Sequence, residues 1–263
     1  MADDNLTSFI KTAPELLVLI YKDLAQPGVI KVGQALSTVL DLTNTILLPF
    51  KLLNEKTRIT FEHNLRTYKQ RIEEIPNDKI CEVPPEIGIP ILDKLTYVTD
   101  ESISNLFINL LAKASSTDSN HLAHPSFINC INSLSPDEAI IIDYLSDKSS
   151  FPFIEVKAFK KANHITIMEI ALVDMPSTLT FTNNIEAYLN NLSGLGIITT
   201  SPGEHLSDEN LYAKLIEKFG NVHTFLKDTC VKAGYDKVDY GKGVFHITKY
   251  GRMFIQACTH KKR

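Results

Sequence analysis

The 263-residue chain lacks the short contiguous motifs of common catalytic and nucleotide-binding sites. It has no G-x-x-x-x-G-K-[ST] loop, no strand followed by G-x-G-x-x-G, no H-E-x-x-H helix and no G-x-S-x-G elbow, which removes contiguous P-loop, Rossmann, zincin and α/β-hydrolase sites from consideration. Gly194-Leu195-Gly196 reads as a helix stop. Cysteine is sparse: Cys81, Cys130, Cys230 and Cys258 stand far apart in apolar segments without a C-x-x-C pair, the pattern of reduced, packed thiols. No internal repeat or low-complexity tract is present.

Basic excess is missing as well. Residues 1–133 carry 12 Lys+Arg against 16 Asp+Glu, and residues 134–263 carry 15 of each. Neither half has the positive surplus that neutralises phosphates and drives non-specific nucleic-acid binding. The N-terminus, Met-Ala-Asp-Asp-Asn, is acidic where a secretory signal starts basic, so a cytoplasmic protein is expected. Hydrophobic residues at 44% and charged residues at 22% match a folded globular chain rather than a disordered one.

What is present is mostly helical periodicity. Phe9, Ala13, Leu16, Leu17, Ile20 and Leu24 recur at helical spacing before Pro27 interrupts them. From Val29 to Phe50 only Lys31 and Asp41 are charged, and the length matches the ~20 residues that cross a bilayer. Asp41 falls near the middle, where a carboxylate costs about 2.5–3.5 kcal/mol on insertion scales, so a buried core helix is preferred. In the alternative, Val32, Leu36, Val39, Leu40, Ile46 and Leu47 are its membrane contacts and the protein associates with membrane on activation.

Phe61, Leu65, Tyr68 and Ile72 form a narrow apolar stripe on a charged surface helix that includes Arg71. Pro76, Pro84, Pro85 and Pro90 then break continuity, with an extended piece at 79–83 and a helix from Pro85. The clearest helix runs over 100–115, capped by Asp100, with Ile103, Leu106, Phe107, Leu110, Leu111 and Ala114 inward. Pro125 starts a short helix. Ser135, Pro136 and Glu138 open another as a capping box.

After residue 146 the pattern turns to strand. Segments around 151–159 and 164–173 are rich in β-branched and aromatic residues, with a turn at 160–163. The expected domains are therefore 1–148, helical, and 149–263, a β-hairpin plus a winged-helix-like module. The fold class is α+β, predominantly α. In the second region a helix at 183–192 leads through Gly194 into a strand at 197–200. Ser207 caps a further helix, 238–248 supplies two β arms around Gly241-Lys242-Gly243 as a wing, and Thr248 caps the last helix.

A winged helix that reads DNA places Arg, Lys or Gln on its recognition helix. Here the only charge on that helix is Glu186, so protein contact is preferred over DNA, for which Lys242, Lys249 and Arg252 are the candidate contacts. His121 and His124 sit in a loop without the further ligands that a closed zinc site needs, and Cys258 with His260 fares no better. No catalytic residue, metal or cofactor is assigned.

With these residues in view, the chain resembles the bacterial abortive-infection alpha family, Abi-alpha, associated with defence against phage. The resemblance rests on Tyr21-Lys-Asp-Leu-Ala-Gln-Pro27 followed by Val32-Gly33, on Asn105-Leu-Phe-Ile-Asn-Leu-Leu-Ala112, and on His124-Pro-Ser-Phe127 continuing to Leu134-Ser-Pro-Asp137. Leu192–Ile198 and Ile247-Thr-Lys-Tyr-Gly-Arg-Met-Phe254 complete it. It implies a role in halting phage propagation at the expense of the infected cell, and it supplies no catalytic residues. Asp23, Pro27, Asn109, His124, Pro125 and Asp137 are motif positions, each with an adequate reading as turn, cap or helix start. A non-enzymatic protein that binds a phage or host protein is the expectation, with a membrane effector and a DNA-binding regulator as alternatives.

Overall fold

The computed structural model describes residues 31–39, 54–171 and 178–260. The helix expected over 9–24 and most of the apolar stretch 29–50 lie outside these residues, as do Asp23, Pro27, Leu40, Ile46 and Leu47. Helices predominate and the described strands form a four-stranded antiparallel sheet, so the class is α+β, mainly helical. The chain forms two compact units, Met1–Ala139 together with Phe254–Arg263, and Ile140–Met253. The sequence-based division at 148 falls inside the second of these.

The first unit contains a helical stretch at 31–39 (α1) and helices Glu55–Glu73 (α2), Pro85–Leu95 (α3), Glu101–Ala114 (α4) and Ser126–Asn132 (α5). Asn54 starts α2, its side chain accepting from the Thr57 amide at 3.2 Å. At the other end Lys31 donates to the carbonyls of Glu73 and Ile75, a cation at the negative end of the helix dipole. The inner stripe of α2 is Phe61, Tyr68 and Ile72 with Asn64 in place of the expected Leu65, which is only half-buried. Asn64 is buried because it is useful there: its amide donates to Leu95 and Val98 oxygens at 2.9 and 3.0 Å, satisfying carbonyls at the end of α3.

The proline-rich connector forms a 3-10 turn at Asn77–Lys79, a bridge from Ile80 to Ser116, and then α3 from Pro85. Val32, Ala35, Leu36 and Val39 of α1 are buried, and Val39 lies against Gly88 of α3 so closely that a Cβ there would stand 2.5 Å from a Val39 methyl. The central element is α4. Asp100 accepts from the Ile103 amide at 3.0 Å, and Leu106, Phe107, Ile108, Leu110, Leu111 and Ala114 are buried, so more than one face is covered. In α5, Phe127 packs edge-on against Phe254 at 5.3 Å.

Two helices cross the division between the units. Pro136–Tyr144 (α6) opens with the expected capping box: the Glu138 amide donates to Ser135 Oγ at 3.3 Å and the Ser135 amide to Glu138 Oε2 at 2.6 Å. The last helix, Lys249–Cys258, is capped by Thr248, which accepts from the Gly251 amide at 2.8 Å.

In the second unit, strands Ser150–Lys160 (β1) and Asn163–Ala171 (β2) make the expected hairpin, with Lys161 in the left-handed region at φ 56°. Helix Ile185–Gly194 (α7) is followed by strand Ile198–Pro202 (β3), helix Glu209–Lys232 (α8) and strand Lys237–Ile247 (β4); Lys249–Cys258 is α9. The sheet order is β2-β1-β4-β3.

Two expectations are corrected here. The stretch 238–248 is one continuous strand, not a wing of two arms: β4 pairs along its length with β1 and at its end with β3. Gly243 is small because Phe153 from the opposite strand occupies the space where its Cβ would be, and Gly241 likewise leaves room for Lys157 and Glu155. These glycines signal close packing across the sheet rather than a turn. The cap of α8 is Asp208, not Ser207, and its carboxylate accepts from the Asn210 amide at 3.1 Å. Inside the sheet, Tyr212 of α8 packs with Ile154 and Leu215, accepting from the Leu206 amide at 2.9 Å and donating to the Gly243 carbonyl at 3.2 Å.

Candidate functional site

In the first unit one buried polar side chain organises its surroundings. Asn109, only 6% exposed in the middle of α4, donates to the Cys258 carbonyl at 2.9 Å and accepts from Arg71 Nε at 3.2 Å. The amide thus ties α2, α4 and the end of α9, with both its nitrogen and its oxygen hydrogen-bonded. Beside it opens a cavity of about 260 Å³, walled by Arg71, Asn109, Lys113, Ser116, Asp118 and His260 among others. Glu74 stands at this cavity, 3.9 Å from Arg71 and 3.6 Å from His260, while Asp118 pairs with Lys79 at 3.1 Å.

Of the described motif positions, Asn109 alone lines this cavity. His124 sits at the entry to α5, where its Nδ1 accepts from the Ser126 amide at 3.1 Å and lies 2.7 Å from Ser126 Oγ. That contact does the work of a cap that Pro125, the residue at the cap position, cannot supply through its side chain. Asp137 is buried in the first turn of α6, where a carboxylate faces the positive helix end. The structure does not bring these positions together into one cluster with Asn109. Of the membrane-contact candidates, Val32, Leu36 and Val39 are buried within the first unit. Among the described residues no helix is long and apolar enough to cross a membrane.

The three basic candidates are spread over two elements. Lys242 on β4 is ion-paired with Glu209 and lies 5.2 Å over the Tyr212 ring. Arg252 on α9 donates to the Lys148 carbonyl at 2.7 Å. Lys249, on the same helix, is exposed. On α7 the outward positions are Glu186, Ala187 and Asn190, with no cation, while Tyr188, Leu189 and Leu192 face inward. Large apolar side chains are exposed elsewhere in this unit: Phe225 at 69% and Val231 at 53% near the end of α8, and Phe181 before α7.

The titratable groups with displaced behaviour have structural causes. Burial pushes the Cys258 thiol well up, with Cys130 adding to it, and burial also raises Cys81 against a lowering contact from Asn120. Neither thiol is activated as a nucleophile, which requires the opposite shift. Glu169 is raised by burial first, then by Glu155 and Glu186. Glu155 is its direct cross-strand partner. Glu155 is buried and lies 2.7 Å from Lys157, an ion pair whose alignment at Oε2 does not amount to a hydrogen bond. Among the described residues no trio of His, Cys, Asp or Glu converges as a metal site.

Arg71 and Lys113 were not among the candidates read from sequence, and His260 was weighed only with Cys258 as a metal ligand. Arg71 looks like one more charge on a surface helix, and Lys113 carries no local pattern. The single available signal was Asn109 inside the apolar run Leu106–Leu111, because a polar group there must find partners.

Fold and site together define a mainly helical α+β protein with a cavity assembled from separate segments of its helical unit. The family model described as "Abortive infection alpha" matches residues 60–258, most of the chain, and the chain belongs to that family. The resemblance carried by the short motifs is thereby upheld. A solved structure of an uncharacterized protein from the hydrocarbon-degrading marine bacterium Alcanivorax borkumensis SK2 is 19% identical, over 53% of this chain and 95% of that one, with a TM-score of 0.35. No curated protein matches the chain.

Proposed function

We propose that the protein serves in abortive infection, limiting phage propagation, and that it does so by binding a phage or host protein through the second unit, Ile140–Met253. Family membership supports the biological role. The observation that carries the mode of action is the exposure of Phe225 and Val231 on α8, large apolar side chains that a partner protein would cover on binding. The cation-free outer face of α7 and the engagement of Lys242 and Arg252 in contacts of their own favour a protein over DNA as partner.

The test is affinity capture from phage-infected cells with the wild-type chain and a Phe225→Glu/Val231→Glu variant. A specific protein is recovered with the wild type and lost with the variant, while circular dichroism of the two is the same. Equal recovery by both chains, or a nuclease, hydrolase or transferase activity that accounts for protection without any partner, overturns the proposal.

A further inference from the structure

We propose that the cavity beside Asn109 binds a small phosphate-bearing anion. The cavity lies between the end of α2, the second half of α4, the loop that follows and the residues after α9. Its volume, about 260 Å³, falls just below the ~300–1,000 Å³ of pockets for drug-sized ligands. It suits a phosphate or a compact phosphate ester better than a large cofactor.

The donors at this cavity have capacity to spare. Arg71 uses Nε on Asn109, which fixes the plane of the guanidinium, and its terminal nitrogens come no closer to Glu74 than 3.9 Å, outside hydrogen-bonding distance. The Lys113 ammonium makes no ion pair with any described residue, and only the backbone carbonyl of Lys113 is used, accepting from Ser119 Oγ at 3.0 Å. Ser116 is only 6% exposed, and its hydroxyl accepts from the Asp118 amide at 3.4 Å while its own proton is not spent on any described residue.

The two carboxylates present do not close the site. Asp118 is directed to Lys79. Glu74, more than half exposed, stands between Arg71 and His260 at distances longer than hydrogen bonds. A Glu74 oxygen stands between the Arg71 guanidinium and the His260 ring, held loosely enough for a more highly charged ligand to displace it.

Donors of different shape on separate segments match a tetrahedral dianion better than a planar carboxylate. A guanidinium fork, an ammonium and a hydroxyl can each take a different phosphoryl oxygen, whereas a carboxylate offers two oxygens in one plane.

The experiment is isothermal titration calorimetry of the full chain at low ionic strength with inorganic phosphate, pyrophosphate and adenosine monophosphate, and with acetate as the planar control. At least one phosphate probe binds saturably at one site, and acetate does not. Lys113→Ala, which removes no hydrogen bond or ion pair to a described residue, weakens binding roughly tenfold, the effect of losing one charge-assisted hydrogen bond. Glu74→Gln strengthens it by removing the resident competitor. Tighter binding of the nucleotide than of free phosphate assigns the ligand to the esters, and the reverse order assigns it to the free anion. No saturable binding of any phosphate probe overturns the proposal, as does equal affinity for acetate or an affinity unchanged in Lys113→Ala.

Discussion

Arg71 and Asn109, from different helices of the first unit, meet through a single hydrogen bond of 3.2 Å from Nε to Oδ1. The same amide turns its nitrogen to the Cys258 carbonyl, so one side chain serves both a guanidinium and the end of α9. In an apolar interior such an amide is tolerated only while both ends are paired.

Asn109→Leu removes both hydrogen bonds and leaves the Cys258 carbonyl and the Arg71 guanidinium without that partner. A buried group left unsatisfied costs about 1–3 kcal/mol, and the urea midpoint should fall accordingly with little change in slope. A variant as stable as the wild type contradicts this role of the amide.

Gly88 is held small by Val39. Gly88→Ala places a methyl against the Val39 side chain, and overpacking of this kind costs about 1–3 kcal/mol. Shortening the neighbour should relieve it, so the Gly88→Ala/Val39→Ala pair should be less destabilised than the sum of the single changes, a coupling that thermal or urea unfolding of all four proteins measures. Strict additivity would mean that α1 does not lean on α3 as described.

Glu169 faces Glu155 across the β1–β2 pair, and burial followed by the charges of Glu155 and Glu186 raises its carboxyl above the ordinary value of 4.5. A group whose folded value is raised contributes stability below its unfolded value and loses it as pH rises through the folded one. Glu169→Gln should therefore raise the melting temperature relative to wild type at neutral pH, and the advantage should shrink as pH falls through the carboxylate range. A gain that persists unchanged at pH 3 would point to packing rather than charge.

Much of the fold was legible because its signals are local. The caps at Asp100 and Ser135, the hairpin turn at 160–163 and the stripe of Phe61, Tyr68 and Ile72 each depend on residues within a few positions of one another. The wing was misread because Gly241 and Gly243 look like turn residues until Phe153 and Lys157, far away in sequence, are seen to fill the space beside them. The cavity was illegible for the same reason. Arg71, Lys113 and His260 belong to three separated segments, and none carries a local pattern that marks a shared cavity. The exposed Phe225 on α8 was equally hidden, since helical period alone assigns such a residue to the core.

Infected cells decide whether protection against phage runs through protein contact at the end of α8. Cells expressing the wild-type chain or the Phe225→Glu/Val231→Glu variant, matched for protein level and melting temperature, are infected and scored for phage yield and host survival. Wild-type cells should release fewer phage and die with the infection aborted, and the variant should yield phage as cells without the protein do. Protection by the variant equal to that of the wild type would contradict the account.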